Sequence, residues 1–168
     1  MPMRLFQPDE WEAVRRRAQL PQFAAALARL RADAADYLAQ PMDPPDAPAG
    51  YYHDYFCPQH GVELEFNLTD PTRHRCPVDG QEFGGERLDA ARRWFVNHRL
   101  SEVSLRLALV WRLDGDPRAL SALADILGGY AARYAGYATS PPAGPNPGVA
   151  TYTTLDEAVW LLPLAWTS

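Results

Sequence analysis

The chain has 168 residues, 47% of them apolar and 22% charged, with a net charge of −5 and sixteen arginines as its only Lys or Arg residues. That is the composition of a globular domain with a real core. It carries no cationic surplus of the kind that displaces counterions from nucleic acid, so no nucleic-acid partner is expected.

The first ten residues hold no apolar run that would form a signal-peptide core, and no stretch approaches the roughly 20 apolar residues of a membrane span. No membrane partner is expected, and the default compartment is the cytoplasm; a different gene start would make the protein periplasmic or secreted. In the cytoplasm two cysteines are read as thiols or metal ligands and not as a disulfide.

Residues 9–19 read as a short helix opened by Asp9, and Pro21 suits the first position of a second helix. Along that helix Phe23, Leu27, Leu30, Ala34 and Tyr37 recur at alternating steps of four and three, one apolar stripe. The segment 1–40 is thus an N-terminal helical region. Residues 41–50, with four prolines and a glycine, read as a linker or an extended wrap.

Residues 51–85 are aromatic, rich in turns, and alternate at Val62, Leu64 and Phe66, which predicts a small β-like insert. It contains two matched turns, Cys57-Pro58-Gln59-His60-Gly61 and Cys76-Pro77-Val78-Asp79-Gly80. Fifteen residues separate His60 from Cys76, the lower edge of zinc-ribbon spacing. Thiolate, imidazole and carboxylate are all competent zinc ligands, so Cys57, His60, Cys76 and Asp79 would close one structural Zn2+ site with no open position. His74 competes with Asp79 for the fourth place. In the alternative reading both cysteines pack as small hydrophobes and no metal is bound.

From Asp89 the helical spacing returns through Trp94, Phe95, His98, Glu102, Leu105 and Leu109 to Leu113, as one long helix or two joined near Ser101. Asp114-Gly115-Asp116-Pro117 then reads as a stop and restart, with Gly ending one helix, Asp116 capping the next and Pro117 opening it. The next helix is expected to bury Leu120, Leu123, Ile126, Leu127, Tyr130 and Tyr134, making a helical hairpin. Residues 138–150 form a long proline-rich loop of the kind that is often functional. Thr154-Leu155-Asp156-Glu157 reads as a capping box in which Thr154 caps and Glu157 reaches back. The final helix, from Leu155 to Trp166, contains Pro163 and reads as truncated. An exposed stripe of Leu155, Trp160, Leu161 and Leu164 and a tendency to self-associate are expected.

The order of these segments resembles the N-terminal part of the heparinase II/III-like polysaccharide lyases. The resemblance runs over about residues 50–166. It starts with Tyr51-Tyr52-His53-Asp54-Tyr55-Phe56 and the paired turns, and continues through Gly85-Glu86-Arg87-Leu88-Asp89-Ala90-Ala91-Arg92-Arg93-Trp94 and Asn97-His98-Arg99-Leu100. Leu113-Asp114-Gly115-Asp116-Pro117, Tyr130-Ala131-Ala132-Arg133-Tyr134 and Thr154-Leu155-Asp156-Glu157-Ala158-Val159-Trp160 complete it. It implies a mainly α fold, an incomplete (α/α) toroid of helical hairpins over 86–168 with the zinc-ribbon-like insert at 51–85. It also implies an enzyme that cleaves uronate-containing polysaccharides by β-elimination. The catalytic residues of such enzymes lie in later segments, so this chain is expected to be inactive alone and to supply scaffold and part of a sugar-binding cleft. An acidic polysaccharide or oligosaccharide is the expected partner of the complete enzyme.

Candidate substrate-binding residues are the polar cluster Asn97, His98 and Arg99, where Arg suits a carboxylated sugar, and Tyr152, Glu157 and Trp160 beside the long loop. Each also has a scaffold reading: a satisfied core histidine, a solvent arginine, a cap, or packing aromatics. The alternative for the whole chain is a stand-alone zinc-knuckle and helix module that binds without chemistry. A small hydrolase finds no support, since there is no GxSxG elbow, HExxH helix or Walker loop.

Overall fold

A computed structural model of the chain describes residues 8–137 and 148–167. Five helices carry most of it: α1 (Pro8–Ala18), α2 (Ala24–Ala39), α3 (Glu86–Asp114), α4 (Pro117–Tyr137) and α5 (Thr154–Ala165). Two short strands, β1 (His74–Arg75) and β2 (Glu82–Phe83), pair antiparallel with His74 opposite Phe83 and Arg75 opposite Glu82. Among the described residues no helix is long and apolar enough to cross a membrane.

These elements divide into two compact units, and α3, α4 and α5 each have residues in both. The first takes in residues 8–43, 100–130 and 161–167 of the described chain, the second 44–99 and 148–160 together with 131–137. This partition differs from the linear one read from the sequence, because local periodicity carries no information about which distant segments pack together.

In the first unit Pro21 opens a short 3-10 turn, Pro21–Phe23, that leads into α2. The apolar stripe of α2 is buried only at its end: Ala34 and Tyr37 are in the core, Leu27 and Leu30 are half-buried, and Phe23 is exposed. Arg31 grips Asp114 with a two-pronged bond, 2.8 and 2.7 Å, and holds that carboxyl below the usual carboxylate range. Arg106 pairs with Asp33 at 3.2 Å, and Arg15 donates to the Arg112 carbonyl at 2.8 Å. The core draws Leu100, Val103, Leu107 and Val110 from α3 and Ala119, Leu123 and Ile126 from α4. Leu120 and Tyr134, both expected inside, are 40% and 38% exposed. The stop and restart is built as its residues dictate. Gly115 adopts φ +72°, which an L side chain reaches only with strain, and Asp116 accepts from the Arg118 N–H at 2.9 Å as the α4 cap.

α3 is one continuous 29-residue helix, with no break at Ser101. Its first half belongs to the second unit, where the proline-rich stretch 44–50 proves to be an anchored wrap. Ala49 N–H donates to the Ala150 carbonyl at 2.9 Å, Gly50 N–H to Ala90 at 2.8 Å, and Arg93 to the Pro48 carbonyl at 2.8 Å. Tyr137 donates its hydroxyl to Pro45. The alternation at Val62, Leu64 and Phe66 points these side chains inward while Glu63 and Glu65 face out. Tyr55, Cys57, Leu64, Cys76 and Ala91 form a small core there, joined by Val62, Phe83, Leu88 and Phe95.

The cap of α5 sits one residue earlier than the sequence suggests. Thr153 Oγ1 accepts from the Asp156 N–H at 3.1 Å, and the Glu157 N–H closes the first helical bond on the Thr153 carbonyl at 2.9 Å. On α5 the outward residues are Leu155, Val159, Leu161 and Leu162, followed by Trp166 just past its end, whereas Trp160 and Leu164, expected in an exposed stripe, are buried. Of the expected loop 138–150, only 148–150 lie within the described residues.

Candidate metal centre

The two turns of the insert are copies of one another down to their backbone bonds. In the first, Gly61 N–H donates to the Cys57 carbonyl at 2.8 Å and Cys57 N–H to the Val62 carbonyl at 2.7 Å. In the second, Gly80 N–H donates to Cys76 at 2.9 Å and Cys76 N–H to Gln81 at 2.8 Å. Each closes on a glycine in the left-handed region, Gly61 at φ +63° and Gly80 at φ +75°. A residue with a Cβ there would strain the turn, which is why both pentads end in Gly.

The turns bring Cys57, His60 and Cys76 close enough to hold a metal ion, with ligand atoms all within 4.8 Å of one another. His60 Nδ1 lies 3.5 Å from Cys57 Sγ and 3.4 Å from Cys76 Sγ. Tetrahedral zinc, with bonds near 2.3 Å to sulfur and 2.0–2.1 Å to nitrogen, sets its S and N ligands about 3.5 Å apart. Both cysteines are free thiols and buried, while the His60 side chain is one-third exposed. Burial pushes the Cys57 thiol up, but N–H donors from His60 and Gln59 and the side chains of His60 and Cys76 outweigh it and bring it down to about 7. At Cys76 burial prevails, with Cys57 and Asp79 adding to it, and the thiol is raised even though the backbone of Val78 and Asp79 opposes the shift.

Asp79 stands at the rim of this cluster and is not one of the three convergent residues. Its Oδ1 accepts from the Gln81 N–H at 3.0 Å, and its Oδ2 faces His60 Nδ1 at 3.9 Å. The Gln81 bond is the largest influence holding its carboxyl below the ordinary range. His74, the competitor for the fourth position, is turned elsewhere. Its Nδ1 meets the Tyr55 hydroxyl at 3.1 Å and its Nε2 meets Asp89 Oδ1 at 2.7 Å, so both ring nitrogens are engaged. Tyr55, His74 and Asp89 form a buried chain from the insert into the first turn of α3, and nothing in their spacing announces it.

The six candidate sugar-binding residues separate by burial. Asn97 is 1% exposed and donates Nδ2 to the Ala150 carbonyl at 3.1 Å, and Trp160, 4% exposed, stacks on Tyr134 at 6.1 Å. Glu157 is committed to its own fold. Its carboxylate accepts from the N–H groups of Val149, Ala150 and Thr151 at 3.2, 3.0 and 3.0 Å, and from the hydroxyls of Thr151 and Tyr134 at 2.9 Å each. His98 and Tyr152 are half-buried and Arg99 is exposed.

His98 and Tyr152 are the two ends of a run of rings. Tyr152 lies 5.1 Å from Tyr51, Tyr51 lies 4.9 Å from His53, and His53 lies 3.9 Å from Tyr52. Tyr52 stacks on Trp94 at 4.5 Å and Trp94 stacks on His98 at 5.0 Å. The aromatic lead-in at 51–56 is visible in the sequence; its continuation onto Trp94, His98 and Tyr152 is not. Comparison of the chain with protein-family models, with curated proteins and with solved structures returns no match.

Proposed function

We propose that this chain is a metal-clasped helical scaffold, part of a heparinase II/III-like polysaccharide lyase, with one structural Zn2+ in the insert. The observation that carries the metal is the pair of matched turns that bring Cys57 Sγ and Cys76 Sγ to 3.5 and 3.4 Å from His60 Nδ1, the spacing of tetrahedral S and N ligands. Asp79, whose Oδ2 lies 3.9 Å from His60 Nδ1 but outside the group of three convergent residues, supplies the fourth ligand by swinging inward from the rim. Four protein ligands leave no open position, so the ion organises the insert and performs no chemistry. A reducing, cytoplasmic setting keeps both thiols ready for it.

In the lyase reading the scaffold serves β-elimination. The uronate carboxylate is neutralised, a base takes the proton from C5, and an acid protonates the departing glycosidic oxygen. This chain contributes no base and no acid to that sequence; it contributes fold and part of the cleft. A second reading, a stand-alone binding module, is favoured by the fact that all four proposed ligands come from residues 57–79.

The reading frame downstream of Ser168 tests the choice. Continuation into further helical hairpins, with ultraviolet absorbance of unsaturated uronates when the longer protein meets an acidic polysaccharide, is the expected result. A stop codon directly after Ser168 would overturn the lyase and leave the module. The metal is tested separately: untagged protein should carry one equivalent of zinc, and a normally folded protein with less than about a tenth of an equivalent would end that part.

A further inference from the structure

The four proposed ligands form an inner wall of sulfur and an outer wall of nitrogen and oxygen. Cys57 and Cys76 are buried, whereas His60 and Asp79 are exposed. His60 Nδ1 touches both sulfurs, and Val78, whose N–H donates to Cys76 Sγ at 3.4 Å, is also exposed. The sulfurs therefore lie one residue beneath the surface, and Asp79, on the solvent side, is the one ligand that does not already converge. Cys57 and Cys76 are the two cysteines of the chain, both are free, and their sulfurs stand within 4.8 Å of each other. A disulfide needs them about 2 Å apart. Each cysteine opens its own turn, with its N–H and carbonyl already bonded within that turn. The sulfurs can thus be brought together by side-chain rotation and a small shift of one turn against the other, with both turns kept.

We propose that this cysteine pair is a peroxide-responsive switch, in which oxidation joins Cys57 to Cys76, expels the zinc and loosens the insert from the start of α3. The switch rests on the metal reading given above. A zinc-bound thiol is held as thiolate, the nucleophilic form of sulfur. One thiolate attacks a peroxide oxygen, the O–O bond breaks, and a sulfenic acid forms while the other oxygen leaves as water on taking a proton. The second thiolate attacks the sulfenyl sulfur, the S–S bond forms, the S–O bond breaks, and hydroxide leaves as water with a second proton. Two electrons pass from the sulfurs to the peroxide, and zinc is left with only the exposed His60 and Asp79. Cys57 and Cys76 share their small core with Ala91, and Leu88 and Phe95 pack against it, so movement of the sulfurs is felt directly by the first half of α3. A thiol reductant reverses the step by attack on the disulfide, which restores both thiolates for the metal.

The test treats the zinc-loaded 168-residue protein with increasing hydrogen peroxide, beside a peptide of the 55–61 sequence as a reference thiol. Zinc release is followed with a chromogenic chelator, thiols by alkylation and intact mass, and the linkage by peptide mapping. One equivalent of zinc should leave as both thiols disappear together, with the mass lower by two hydrogens and Cys57 joined to Cys76 within one chain. The melting temperature should fall, and dithiothreitol with added zinc should restore it. Zinc and thiols still intact once the reference peptide is fully oxidised would overturn the proposal. So would added oxygen atoms without a disulfide, linkage between two chains, or a product that the reductant does not reverse. Cys76→Ser, if it folds, leaves Cys57 without a resolving partner and should give no intramolecular disulfide; mapping of the wild type decides the matter if it does not fold. A protein that carries no zinc before peroxide is added overturns the metal reading and the switch with it, whereas one that carries zinc and ignores peroxide overturns the switch alone.

Discussion

His74 Nε2 lies 2.7 Å from Asp89 Oδ1, and this bond fastens β1 of the small insert to the first turn of α3. The imidazole is fully buried and the carboxylate 19% exposed. Asp89→Asn and His74→Phe should each lower the unfolding free energy by about 2–3 kcal/mol, the range for a hydrogen bond to a charged group with a buried partner left behind. In urea denaturation the double variant should lose less than the sum of the two, because the second change removes an interaction already broken. Additive losses would show that the two residues act separately.

Metal removal gives the second prediction. Chelation should lower the melting temperature and release one ion, since binding a structural zinc contributes on the order of 10 kcal/mol to folding such an insert. Cys57→Ser and Cys76→Ser should lose zinc, whereas Asp79→Asn should weaken its retention without abolishing it, because three donors still converge. With Co2+ in place of zinc, the wild-type spectrum should report a tetrahedral site with thiolate ligands. An octahedral spectrum, or one without thiolate bands, contradicts the assignment.

Glu157 is predicted to matter for stability and not for sugar affinity. Glu157→Ala leaves three backbone N–H groups and the Tyr134 hydroxyl without their acceptor. The expected loss is about 2–4 kcal/mol, since orphaned donors cost more than the bonds themselves contribute. Glu157→Gln, which keeps one carbonyl oxygen, should recover part of it. Hexuronate affinity of Glu157→Gln should match wild type at a temperature where both are folded; a tenfold loss would return Glu157 to the binding surface.

At high pH the tyrosines provide a fourth test. Burial, countered by Arg92 and reinforced by Glu63 and Asp89, pushes Tyr55 up to about 12, and burial together with the Glu157 carboxylate pushes Tyr134 up to about 12. A folded-state value above the unfolded one of about 10 means the unfolded chain loses its phenol proton first. The stabilisation from these phenols is therefore complete below pH about 10 and is lost as pH rises to about 12. Phenolate absorbance should show a late-titrating fraction, and unfolding free energy should fall across that window. Glu157→Gln should bring the Tyr134 step to lower pH.

Features fixed by neighbouring residues were legible in the chain. Gly115, Asp116 and Pro117 make the break between α3 and α4 through a positive φ, a cap and a first-turn proline, all local. The matched pentads announced twin turns in the same way, and Cys57, His60 and Cys76 do meet. One local reading slipped by a residue: Thr153 caps α5, which frees Glu157 to bind the N–H groups of 149–151 and makes it a staple for that turn. The stripe of α2 was right in its period, yet periodicity cannot say how much of a face is covered, and Phe23 stays exposed.

The sequence by itself therefore determined the helices, their breaks and the residue types able to hold a metal, because propensity, capping and turn chemistry act over a few residues. Only the tertiary structure decided which candidates face inward. It buried Asn97 against Ala150 and Trp160 against Tyr134, turned His74 to Asp89, and joined Tyr152 to Tyr51 and Trp94 to His98 in one run of rings. Those pairings depend on segments up to about a hundred residues apart in the chain, and their register is set by the packing of whole helices, which no short stretch of sequence encodes.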